Sequence, residues 1–194
     1  TMTLTPKPEG FIDPAERLSP SLADALMIPG ILDDGGLYPI EKMEAHRLGA
    51  LHLAISAFVF DGDRLLIQRR ALTKYHCGGL WANTCCTHPH WNEAPASAAR
   101  RRVREELGFE VDLTETRIVT YRAPVDNGLI EHERVHMFTG TASATTLAVA
   151  MNPAEVCETR WVSGADLKAE IAATPEAFTP WFKIYVERFP DLRF

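Results

Sequence analysis

At 194 residues, 46% hydrophobic and 24% charged, the chain has the composition of a folded domain with a full core, which excludes extended disorder. A net charge of −6 argues against a general nucleic-acid or membrane-surface binder, so an anionic ligand needs a local cluster of positive charge or a metal. Four cysteines (Cys77, Cys85, Cys86, Cys157) are too few for a disulfide scaffold. With no signal-peptide pattern and no apolar run of membrane-spanning length, the expectation is a reducing, cytoplasmic setting and no membrane partner.

In chain order, residues 1–25 are expected to form a poorly ordered tail, rich in proline and polar residues over its first twenty positions, ahead of one domain over 26–194. A strand is predicted near Met27–Leu32, closed by the turn Asp33-Asp34-Gly35-Gly36. Leu51–Phe60, Asp61-Gly62-Asp63 and Arg64–Arg69 read as a hairpin. The pattern of Glu93–Leu107 predicts a helix stopped by Gly108, and further strands are expected at Arg117–Arg122, Leu129–Thr139 and Thr159–Val162. Ser163 can cap a helix running to Ala172. A last helix starts near Thr179-Pro180 and reaches Arg188, with Trp181, Phe182, Ile184 and Tyr185 on its apolar face. Strands and helices interleave while hairpins are present, which predicts an α+β or α/β/α sandwich with a central mixed sheet flanked by helices.

The stretch Asn83-Thr84-Cys85-Cys86-Thr87-His88-Pro89-His90 concentrates chemistry-bearing groups. If it is extended, Cys86 and His88 share one face and Cys85 points to the other. Glu131-His132-Glu133 lies inside a predicted strand, so its two carboxylates share a face. Taken alone, Glu-x-Glu suits an exposed strand face, and a histidine such as His52 in an apolar strand suits a hydrogen-bonded core position. Together, His46, His52, His88, Glu131 and Glu133 would make a set of three nitrogens and two oxygens, suited to zinc or manganese rather than calcium. His46 is expected to reach His52 through a loop. The helix after the cysteines is close to the diphosphate-hydrolase pattern of the Nudix enzymes, G-x5-E-x7-R-E-x-x-E-E-x-G. Glu93, Arg101, Glu105, Glu106 and Gly108 match it, but Thr87 replaces the glycine and Arg102 replaces a glutamate. Removing a carboxylate takes away a metal ligand and adds a phosphate-gripping group. A solvated amphipathic helix accounts for the same pattern.

Several further runs carry a resemblance. They are Glu41–His46, Leu51–Ala54, Gln68–Lys74, Gly79–Pro89, Arg101–Gly108, Tyr121–Ala123, Glu131–Glu133 and Ala173–Trp181. Over about Ile28 to Phe189 the chain resembles the type I isopentenyl-diphosphate Δ-isomerases, which have a Nudix fold and do not hydrolyse their diphosphate. The resemblance implies conversion of isopentenyl diphosphate to dimethylallyl diphosphate by protonation at the terminal alkene carbon and deprotonation at C2, as a step in isoprenoid precursor biosynthesis. It implies that Cys86 handles the C2 proton and that Glu133, assisted by Tyr121, serves the other carbon. Trp161 would lie over the cationic centre. Lys42, Arg69, Lys74 and Arg102 would pair with the diphosphate, and Glu106 would help hold Mg2+ bound with it. The zinc- or manganese-type ion would be held by His46, His52, His88, Glu131 and Glu133. Trp81, Trp161 and Phe58 are expected to wall off water. A Nudix pyrophosphohydrolase acting on a prenyl or nucleotide diphosphate is the alternative, and a zinc or redox module on the Cys85–His90 stretch is a third reading. The expected partner is a small prenyl diphosphate, with no nucleic acid, and the chain would act as a monomer or homodimer.

Overall fold

The computed structural model describes residues 26–194, so the expected tail at 1–25 lies outside the described residues. The strands are β1 (Met27–Ile31), β2 (Leu37–Glu41), β3 (His52–Asp61), β4 (Arg64–Arg70), β5 (Trp81–Ala82), β6 (Cys85–Thr87), β7 (Thr114–Pro124), β8 (Ile130–Thr141) and β9 (Val156–Ser163). The α-helices are α1 (Lys42–Leu48), α2 (Pro95–Leu107), α3 (Gly164–Ala173) and α4 (Pro180–Arg188). No helix among the described residues is long and apolar enough to cross a membrane.

The sheet is mixed. β3 is its spine, antiparallel to β1, β4 and β6 and parallel to β8 from His52↔Glu133 to Phe60↔Thr141. β7 adds antiparallel to β8, and β9 adds antiparallel to β4. Period-two alternation then sorts side chains into two cores. Phe58, Leu65, Ile67, Val135 and Met137 face Leu167 of α3 and Trp181, Phe182, Tyr185 and Val186 of α4. Ala57, Val59, Leu66 and Cys85 face Val103 and Leu107 of α2. Each fully buried side chain of this size contributes about 1.5–3 kcal/mol of hydrophobic stabilisation. The expected sandwich of helices about a mixed sheet is therefore present.

Some elements differ from expectation. The predicted helix at Glu93 begins at Pro95, because Glu93 serves the turn before it: its Oε1 accepts from the His90 amide at 3.0 Å, and Arg101 grips both its oxygens. Strand β2 and helix α1 were not expected. The span between His46 and His52 is thus not a loop throughout, since His46 sits in α1. The Glu41 side chain caps this helix by accepting from the Met43 and Glu44 amides, and Gly49 ends it in the left-handed region at φ 66°. Seven residues carry too little periodicity to announce a helix without those caps. β7 and β9 are longer than predicted because their extra residues are mostly exposed and polar.

Candidate active site

Strand register assembles the site. Tyr121 of β7 stands opposite Glu133 of β8, and Glu133 stands opposite His52 of β3, so one row crosses three strands. Along β8 the alternation of burial leaves Glu131 and Glu133 inside and His132 and Arg134 half-buried on the other face. His132 Nδ1 meets the Gly49 carbonyl at 3.0 Å. On the β6 side, Ser56 pairs with Cys86, which puts their side chains on one face. Cys85, one residue back, turns into the α2 core at 0% exposure, as the alternation predicts.

His46, His52, His88, Glu131 and Glu133 converge: one ligand atom from each lies within 4.8 Å of all the others, and all five residues are buried. The histidine tautomers suit a cation. Nδ1 of His46 lies 2.6 Å from the Lys42 carbonyl, and Nδ1 of His52 lies 2.7 Å from the Ala50 carbonyl. A carbonyl only accepts, so each Nδ1 carries the proton and each Nε2 presents a lone pair. Those two Nε2 atoms and Glu131 Oε2 are buried with no hydrogen-bond partner, a costly arrangement that a divalent ion would satisfy. The cluster is thus a buried His/Glu site compatible with a divalent metal.

Glu133 is the junction of this cluster with the pocket. Its Oε1 is 2.8 Å from His88 Nε2, and its Oε2 accepts from the Tyr121 hydroxyl at 3.0 Å. Burial favours its neutral acid, but the influence of Glu131, His52 and His46 around it outweighs that and holds it below the usual carboxylate range. Burial is also the largest influence on His88, which it drives well below the ordinary histidine value, helped by His52 and His46. The Cys86 Sγ–H donates to Asn83 Oδ1 at 3.1 Å. Asn83 is pinned in that orientation because its Nδ2 donates to the Ala57 and Cys85 carbonyls. Burial pushes the Cys86 thiol up to about 12, so in the free protein it keeps its proton. Ser56 Oγ lies 3.3 Å from that sulfur and 3.0 Å from the Tyr185 hydroxyl.

One pocket joins these groups. Ser56, Cys86, Tyr121, Glu133, Trp181 and Tyr185 line its inner part, and Lys42, Arg70, Lys74 and Arg102 supply four cations around it. Arg102 is braced by Glu106 and Glu155, each at 2.8 Å, and Lys74 pairs with the same Glu155 carboxylate oxygen. Glu106 lies in the pocket wall, where Gln68 Nε2 donates to it at 2.7 Å. Burial, then the nearby charges of Lys74 and Arg102, lower the Lys42 ammonium to about 8.

Besides His46 and His52, which belong to the buried cluster and do not line the pocket, two expected site residues are not in it. Trp161 is a β9 residue opposite Leu66, and it packs on the α2 core; the pocket's tryptophan is Trp181. Arg69 binds the Gly79 carbonyl at 2.8 Å and approaches Glu158 at 3.8 Å, while its neighbour Arg70 faces the pocket, as alternation along β4 requires. Phe58, Trp81 and Trp161 were also expected as the water-excluding wall. Phe58 is inside the core, Trp81 sits under Arg160, and the pocket walls are Tyr121, Trp181 and Tyr185. Trp181 and Tyr185 carried a sequence signal only as an apolar face of α4, and their spacing of four puts both over the pocket. Tyr75 and His76, in the β4–β5 connection, had no sequence signal.

The family model for the NUDIX domain matches residues 50–182. An isopentenyl-diphosphate Delta-isomerase of Rhodobacter capsulatus is 50% identical over 169 residues, covering 87% of this chain and 95% of its own length. Another, from Cereibacter sphaeroides, is 55% identical over 161 residues, covering 82% of this chain and 90% of its own. Among solved structures, a Deinococcus radiodurans protein superposes with a TM-score of 0.67 at 19% identity, covering 84% of this chain and 98% of its own. A MutT protein from Methanosarcina mazei gives 0.56 at 17% identity, covering 73% and 94%. At those identities the two structures speak for the fold alone. The domain match and the two half-identical relatives place the chain by descent: it belongs to the isopentenyl-diphosphate Delta-isomerases of the NUDIX fold.

Proposed function

We propose that this chain interconverts isopentenyl diphosphate and dimethylallyl diphosphate, with Cys86 and the Glu133–Tyr121 pair moving the two protons. The observation that carries the reading is one small pocket with a thiol at one wall, a tyrosine-bonded carboxylate at another, and four cations for the diphosphate. A proton is added to the terminal alkene carbon, a tertiary carbocation forms at the adjacent carbon, and a proton leaves C2. Atoms and charge balance with one donor and one acceptor on the protein. Glu133 with Tyr121 serves the terminal carbon, and Cys86 serves C2. In the free protein the thiol holds a proton and Glu133 is held ionised, which is the distribution that forward turnover leaves behind. A forward cycle therefore begins with one proton shifted from sulfur to the carboxylate–tyrosine pair.

The remaining residues bind, orient and exclude water. Lys42, Arg70, Lys74 and Arg102 grip the diphosphate, and that binding positions the small alkenyl end. The Trp181 ring faces the developing cation and stabilises it by about 2 kcal/mol when desolvated. Trp181, Tyr121 and Tyr185, each no more than 4% exposed, keep out the water that would trap the cation. A zinc- or manganese-type ion on His46, His52, His88, Glu131 and Glu133 would supply Lewis acidity beside the working carboxylate, and Mg2+ near Glu106 would neutralise diphosphate charge. Hydrolysis is disfavoured because Arg102 occupies a carboxylate position of the hydrolase helix, which removes a metal ligand there. NMR of isopentenyl diphosphate incubated with the protein and Mg2+ in D2O tests the reading. Deuterium in a methyl group of dimethylallyl diphosphate is the expected result; intact substrate, or released phosphate, sinks it.

A further inference from the structure

The two ends of the pocket differ in chemistry. Its cations stand at the accessible end, where the side chains of Lys74 and Arg102 are 14% and 18% exposed. Ser56 and Tyr185, which also line it, are each 1% exposed. A diphosphate held by the cations therefore sends its hydrocarbon end toward Ser56 and Tyr185.

Strand β3 shows why the pocket stops there. Ser56 and Phe58 are two residues apart and share one face of the strand. Ser56 lines the pocket, but Phe58 is fully buried and stacks on Phe194 with ring centres 4.0 Å apart. Tyr185 of α4 spans this boundary. Its hydroxyl is hydrogen-bonded to Ser56 Oγ at 3.0 Å. Its ring meets Phe58 at 6.0 Å and Tyr121 at 5.9 Å between ring centres, both edge to face. Contacts from β3 and β7 thus fix one ring across the inner end of the pocket. The two hydroxyls bond each other, so neither asks a hydrogen bond of the substrate.

We infer that Tyr185 is a specificity-determining residue, its ring forming the floor that limits the site to a five-carbon alkenyl chain and selects by length rather than by hydrogen bonding. The inference rests on the reading that the pocket takes a prenyl diphosphate.

Calorimetric titration of the full chain with saturated alkyl diphosphates and Mg2+ tests it without turnover. The series is 3-methylbutyl, 3-methylpentyl and 3-methylhexyl diphosphate, which lengthens the far end one carbon at a time. In the parent the second compound is expected to bind at least about 10-fold more weakly than the first, the effect of one methylene too many in a closed apolar pocket. Tyr185→Leu removes the far half of the ring and keeps an apolar side chain. The order should then reverse, with the 3-methylpentyl compound binding about fourfold tighter than the 3-methylbutyl one for its extra buried methylene. Tyr185→Phe keeps the ring and should keep the parent's order. Affinity that holds or rises along the series in the parent overturns the inference, whether or not a variant folds. So does a parent-like order in folded Tyr185→Leu, or a reversal in Tyr185→Phe as well, because the ring would then not be the floor. If the parent binds none of the three, the prenyl diphosphate reading fails and this inference falls with it, whereas binding of all three with no drop at the second removes this inference alone.

Discussion

Cys85 lies in the α2 core beside Leu66, Val103 and Leu107, whereas Cys86 faces the pocket with Ser56 and Asn83 on its sulfur. One bond of chain separates a packing residue from the proposed proton carrier. Cys86→Ala is expected to reduce turnover by about 10²–10⁴-fold, the range for a lost acid/base group. Cys85→Ala should keep most of its turnover and lose about 1 kcal/mol of stability through a small cavity. Equal loss of turnover in both, measured by the same isomerisation assay, would mean the face assignment is wrong. The tryptophans make a second pair. Trp181→Leu removes the ring over the pocket, and losing about 2 kcal/mol of cation stabilisation slows kcat by about 30-fold. Trp161→Leu should change the melting temperature and leave kcat near the parent value; the reverse pattern would restore Trp161 to the site. Cys86, Glu131 and Glu133 were legible because period-two alternation is local. Trp161 was not distinguishable from Trp181 by chemistry, since both are tryptophans and only packing separates a β9 residue on α2 from an α4 residue over the pocket.

Among the elements, α2 and α1 show how end residues place functional side chains. Gly108 closes α2 at φ 70°, and a Cβ there would lie 2.7 Å from the Ala150 carbonyl oxygen. Gly108→Ala therefore combines a disfavoured backbone conformation with a backbone clash. It should cost at least about 1 kcal/mol, a fall of roughly 2–4 °C in Tm for a chain of this size. A melting temperature equal to the parent's would show that the α2 end and the Ala150 segment yield freely. The last turns of α2 carry Arg102 and Glu106 to the pocket, so its diphosphate affinity should fall with the Tm. Gly108 was readable as a helix stop, but the approach of residue 150 was not. Helix α1 was hidden because its stability comes from Glu41 and Gly49 at its ends and from packing of Ala45, not from an apolar stripe.

For the molecule as a whole, the buried His/Glu cluster leaves polar atoms unpartnered, so on the proposed metal reading folding and ion binding are linked. An ion present at 100 times its Kd adds about 2.7 kcal/mol of stability. Chelation should lower Tm and re-added Zn2+ or Mn2+ should restore it; a Tm indifferent to both would remove the metal centre from the account. Lys42 links stability to pH with a definite sign. Its ammonium falls from 10.5 to about 8 in the folded chain, burial being the largest cause. Below pH 8 both folded and unfolded chains hold that proton, and the folded one bears the full cost of a buried charge. Between pH 8 and 10.5 the unfolded chain binds more protons, so this cost is relieved as pH rises. Lys42→Met should therefore stabilise the ligand-free protein at pH 7 by up to about 3 kcal/mol, an advantage that fades across that window. The same variant should bind inorganic diphosphate more weakly. A variant no more stable than the parent at pH 7 would show that Lys42 carries no such strain.

The sequence by itself determined the alternating burial of β8, the opposed faces of Cys85 and Cys86, the extent of α3 and α4, and the near-Nudix helix whose arginine stands in place of a carboxylate. The first three follow from periodicity or from a cap, which act over a few residues, and the last from comparison with a family motif. The tertiary structure alone decided the register that puts Tyr121, Glu133 and His52 in one row, the choice of Arg70 over Arg69 and of Trp181 over Trp161, and the docking of Tyr185 on Ser56. Register and docking are set by the joint packing of segments far apart in the chain, and no local pattern encodes which partner a buried polar atom will meet.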